Sequence, residues 1–70
     1  MIPISFADAG KECVIKKIDG SPEVKKHLEN LGFTVGGTAT VISTLGKNVI
    51  VKIKESRVAI DFATANKILI

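Results

Sequence analysis

Residues 21 to 37, SPEVKKHLENLGFTVGG, leave the backbone few options other than a short helix that stops abruptly. Ser21 suits the N-cap, Pro22 the first helical position, and Glu23 complements the positive end of the helix. Val24, Leu28 and Leu31 recur at i, i+4 and i+7, which makes one apolar stripe. Lys25, Lys26, Glu29 and Asn30 then face water. Gly32 falls where a left-handed residue ends a helix. Phe33, one position on, is placed to pack against Leu28, the side-chain contact of a Schellman stop. Gly36 and Gly37 launch the next strand.

On both sides of this helix the pattern has period two. KECVIKKI, residues 11 to 18, points Cys13 and Ile15 one way and Glu12 and Lys16 the other. Strict alternation would then bury Lys17 and expose Ile18, so a bulge near Lys16-Lys17 is expected to shift the phase. Asp19-Gly20 ends that strand. After the helix, TATVISTL places Ala39 and Val41 inward, Gly46-Lys47 supplies a tight type II′ hairpin turn, and Val49, Val51 and Ile53 alternate inward. Val58 and Ile60 follow, Phe62 to Asn66 allow one helical turn, and KILI makes a last strand. Five short strands rich in β-branched residues must curl to cover their edges. The expected fold is mainly β, a small SH3-like barrel. One α-helix is inserted after the first strand, and a short helical turn precedes the last.

With 70 residues, residues 1–70 are expected to form a single domain. Cys13 is the only cysteine, so no internal disulfide is available and no zinc framework is spelled out. MIPISFADAG has no basic residue ahead of its apolar part, and Pro3 and Asp8 interrupt it, so no export signal is expected. No run approaches the roughly 20 apolar residues that a spanning helix needs. A cytoplasmic location without membrane insertion is therefore expected. The net charge of +3 is spread along the chain, and reads as a solvated mixed surface.

In order along the chain stand Gly10, a strand holding Ile15 and Ile18, a basic helix ending HLENLGFTVG, alternating apolar strands, VAI at 58 to 60, and Ala65 with Ile68. This series resembles the family of ferrous-iron transport protein A (FeoA). Leu28, Leu31, Gly32, Phe33 and Gly36 match its Leu-x-x-Leu-Gly-[Leu/Phe]-x-x-Gly signature. The chain departs from it at Lys26-His27, where two arginines are usual, and at Val35, where proline is common. The resemblance implies a small cytoplasmic partner of a membrane ferrous-iron transporter that carries a cytosolic GTPase domain. Transition-metal binding is implied at the family level only.

The residues themselves offer little chemistry. Cys13 and His27 are the only soft ligand candidates, and Glu23 and His27 share a helix face at i, i+4; a tight site needs three or four converging ligands. Cys13 is expected inside the barrel as a small apolar residue. GKN at 46 to 48 is not a phosphate loop, because residue 41 is Val and residue 48 is Asn. No catalytic residue and no cofactor are expected, and the chain reads as a non-enzyme. Nucleic-acid binding is the alternative, through Lys52, Lys54 and Arg57; with no Tyr or Trp and Phe33 assigned to packing, a stacking platform is not expected. A protein-interaction surface fits better. Ile42 and Ile50 are expected outward on neighbouring strands beside Lys52, an apolar spot with a charged rim. The helix face of Lys25, Lys26 and Glu29 is the second candidate.

Overall fold

The computed structural model describes residues 1–70. A 3-10 turn over Ile4–Phe6 precedes β1 (Glu12–Val14), β2 (Lys17–Ile18), α1 (Pro22–Leu31), β3 (Thr38–Leu45), β4 (Asn48–Ile53), β5 (Ser56–Asp61), α2 (Phe62–Ala65) and β6 (Ile68–Leu69). Strands β1-β3-β4-β5 form one antiparallel sheet, while β2 and β6 pair separately. The result is the expected SH3-like barrel with its inserted helix, built from six strands rather than five. The extra strand arises because residues 12 to 18 divide between the two sheets.

That division happens at the phase conflict. Ile15 still pairs on the β3 side, its N–H reaching the Gly37 carbonyl and its own carbonyl accepting from Gly36 N–H, both at 2.8 Å. Lys16 N–H then turns to the Leu69 carbonyl at 2.8 Å, although Lys17 is the residue in register with Leu69. Two residues oppose one, so the bulge expected at Lys16-Lys17 is present. Both lysines stay exposed, and Ile15 and Ile18 are both buried.

The helix begins and ends as its sequence dictates. The Ser21 hydroxyl accepts from Val24 N–H at 3.3 Å. At the other end Gly32 N–H reaches Glu29 O at 2.9 Å, and Phe33 N–H reaches Leu28 O at 2.9 Å, the two bonds of a Schellman stop. Gly32 has φ +106°, and a Cβ there would lie 2.8 Å from Ile53 Cγ2. Glycine is thus required twice, by the backbone and by the neighbouring strand. Leu28 and Phe33 are wholly enclosed.

The core is one cluster of thirteen apolar residues, and no polar or charged residue is buried. Sequence periodicity did not reveal Ile4, which is wholly enclosed. It gets there because the two chain ends pair: Ile2 N–H bonds Ile70 O at 3.0 Å, and Ile70 N–H bonds Ile2 O at 2.8 Å. Nearby, Asp61 caps α2 by accepting from Thr64 N–H at 2.8 Å. The hydrogen bonds from Thr64, helped by the charge of Lys67, hold its carboxyl below the usual aspartate range.

The hairpin turns differ. Gly46 takes φ +61° between β3 and β4, with the following Lys47 at negative φ, as the type II′ reading requires. Between β4 and β5 it is Lys54 that adopts φ +54°, the only non-glycine residue with positive φ.

Candidate functional site

With the core wholly apolar, every charged or nucleophilic side chain lies on the surface or at its margin. Cys13 is half-buried rather than inside. It faces inward, in register with buried Ala39, but β1 is an edge strand and covers it from one side only. Its Sγ approaches the Lys11 carbonyl at 3.5 Å. Glu23 and His27 are exposed on α1. No group of three His, Cys, Asp or Glu converges where it could hold a metal ion.

Val41 and Val51 face inward in register, as the alternation implies. Their neighbours differ from expectation. The register shifts between Val41 and Ser43, so Ile50 stands opposite Ser43, and Ile42 occupies the bulge. The two isoleucines are offset neighbours instead of a facing pair, and both are half-buried. The patch is consequently shallower than strict alternation suggests, with exposed Lys52 at its edge.

Lys52 and Arg57 are directly paired across β4 and β5, and Lys54 sits at the turn that joins those strands. The three basic residues therefore do come together. Glu12 shares a shallow hollow with Lys52 and Lys54, which offsets part of their charge.

Lys25 and Glu29, from the second predicted surface, line something more substantial. A groove of about 470 Å³ runs between α1, the bulged segment Lys16–Ile18 and the loop Phe33–Val35. Its apolar part is Ile18, Phe33 and Val35, of which Val35 is 64% exposed. Lys16, Lys17 and Lys25 give it a positive rim, with Glu29 the single acid among its lining residues. Lys17 also pairs with Asp19 at 3.3 Å, while Lys16 and Lys25 have no ion-pair partner. Lys26, the third residue of that predicted helix face, is exposed but is not part of the groove. Sequence reading did not find the contribution of Lys16, Lys17 and Val35. The available signal was the doubled lysine at a forced bulge, next to a charged helix face.

Fold and surface together define a small SH3-like barrel with a wholly apolar core and its charged side chains on the surface. The family comparison is more specific: the FeoA domain matches residues 2–70, and the chain belongs to that family. A protein of Methanocaldococcus jannaschii, provisionally named Fe(2+) transport protein A, is 34% identical over 70 residues, covering all of this chain and 85% of its own. A crystal structure of an iron uptake regulatory protein (FeoA) superposes with TM-score 0.87 at 25% identity, over 96% of this chain and 89% of that one. The solution structure of iron(II) transport protein A from Clostridium thermocellum gives TM-score 0.90 at 21% identity, over 97% of this chain and 43% of that one. The likeness to the Clostridium protein bears on the fold alone.

Proposed function

We propose that this chain is a non-catalytic accessory protein of ferrous-iron transport, which binds the membrane transporter from the cytoplasm through its GTPase region. Membership of the FeoA family across residues 2–70 is the observation that carries this reading. The relative from Methanocaldococcus jannaschii, named for Fe(2+) transport, supports it. No helix is long and apolar enough to cross a membrane, which is compatible with a protein that reaches the transporter from outside the bilayer.

The contact is assigned to two surfaces. One is the shallow patch of Ile42 and Ile50 with Lys52 at its rim; the other is the helix face of Lys25, Lys26 and Glu29. An apolar centre with a charged border suits a modest, reversible interface, in which the apolar groups give affinity and the rim sets orientation and encounter rate. Metal enters as the transporter's cargo, and the chain's own role is to alter the protein that moves it.

Deletion of the gene, followed by ferrous uptake under iron limitation, tests this. Uptake should fall and return when the wild-type chain is supplied. Unchanged uptake in the deletion strain would sink the reading.

A further inference from the structure

The groove beside α1 differs from the Ile42 and Ile50 patch in bordering β2, a strand with a single strand partner. Along residues 12 to 15 the edge of the first strand run is taken by β3 and the Gly36-Gly37 backbone. At the bulge the pairing passes to the opposite edge, where Lys16 N–H meets Leu69 O and Asp19 N–H meets Lys67 O at 2.7 Å. Adjacent residues in an antiparallel pair direct their peptide groups to opposite edges. Since Asp19 bonds toward β6, the N–H and C=O of Ile18 point the other way. β2 pairs with β6 alone, and Lys16, Lys17 and Ile18 line the groove.

We propose that this groove binds an acidic extended peptide segment, which adds to the open edge of β2. The segment's backbone would pair with the peptide groups of Ile18, and its carboxylates would meet Lys16, Lys17 and Lys25. An alternate apolar side chain would lie over Ile18 and Val35. Strand addition of this kind draws affinity from main-chain hydrogen bonds and specificity from the flanking side chains. The charge points to the occupant: Asp19 pairs with Lys17, but Lys16 and Lys25 have no ion-pair partner, so the rim stays net positive beside Glu29 and favours an acidic segment over a basic one. A nucleic acid fits less well: the only aromatic residue lining the groove, Phe33, is wholly enclosed and offers no ring face for stacking. The inference holds whichever protein supplies the segment, so it stands or falls apart from the transporter reading.

The test uses the full chain, isotopically labelled, titrated with a short end-blocked peptide that alternates glutamate and valine. Glutamine and lysine versions of the peptide serve as controls. Saturable shifts are expected at the amides of residues 16–18 and 34–35, with slowed hydrogen exchange at Ile18. The glutamine peptide should bind about tenfold more weakly, and Lys16→Glu with Lys25→Glu should weaken the acidic peptide by about the same factor. If that double variant loses its dispersed spectrum, Lys16→Gln with Lys25→Gln carries the comparison and should show a smaller loss of the same sign. Equal binding of the acidic and glutamine peptides would overturn the proposal. So would shifts without protection at Ile18, or an RNA oligonucleotide that displaces the acidic peptide from the groove.

Discussion

On the inner side of the α1 stop, Leu28 and Phe33 are completely enclosed, whereas Lys25, Glu29 and Val35 on the outer side are exposed and line an open groove that Phe33 also borders. The residues around the α1 stop thus contribute both to the enclosed core and to one wall of an open groove. The inner side is fixed by geometry that tolerates almost no change: a left-handed glycine, two stop hydrogen bonds and a methyl contact from Ile53. The outer side is tied down mainly by backbone bonds, from Gly36 and Gly37 to Ile15 and from Gly37 to Thr34, and its side chains are exposed. In this fold the recognisable signature therefore anchors the structure, and the residues free to meet a partner stand around it.

Mutations on the two sides should separate accordingly. Phe33→Ala is expected to cost about 3–5 kcal/mol through lost burial and an unfilled cavity. At roughly 0.05–0.15 kcal/mol per residue, a chain this size holds about 4–10 kcal/mol, so much of the population would unfold. Denaturant unfolding followed by circular dichroism checks this. Gly32→Ala should cost about 2–3 kcal/mol, because φ +106° is strained for alanine and the new methyl meets Ile53. A loss below about 0.5 kcal/mol would mean that the stop relaxes freely.

The hairpins sharpen the contrast between required and tolerated strain. Lys54 holds the positive φ that glycine supplies at the other turn. Lys54→Gly should therefore stabilise the chain by about 0.5–1 kcal/mol, raising Tm by a few degrees in a thermal melt. Charge reversal at Lys16 and Lys25 should change stability by less than about 0.5 kcal/mol, even though it weakens groove binding. The smallest effect is expected at Asp61. Its folded pKa is depressed, so the cap's contribution is complete above the ordinary aspartate range near pH 4 and fades as pH falls through the lower folded value. Asp61→Asn should accordingly narrow its gap to the wild type in melts as the pH is taken below the ordinary aspartate range.

Local features were legible in the sequence. The cap at Ser21, the stop at Gly32 and the turn at Gly46 depend on neighbours only a few residues away. Even the Lys16-Lys17 bulge could be read, because burying Ile15 and Ile18 together is incompatible with strict alternation. What escaped was long-range. Ile4 reaches the core through pairing of the two chain ends, and the Val41/Ser43 register shift depends on how β3 and β4 align. The groove draws on three separate segments, so neither its shape nor its open strand edge could be seen from any one of them. Lys54 gave no warning, since a lysine does not advertise a left-handed turn.

The central claim is that this barrel acts by docking on the transporter, and binding measures it most directly. The labelled chain should be titrated with the ferrous-iron transporter in nanodiscs, with and without its GTPase domain. Saturable binding is expected, requiring that domain and weakened by Ile50→Asp, while the Ile50→Asp variant itself remains folded. Absence of binding in every nucleotide state, or equal binding after the GTPase domain is removed, would contradict it.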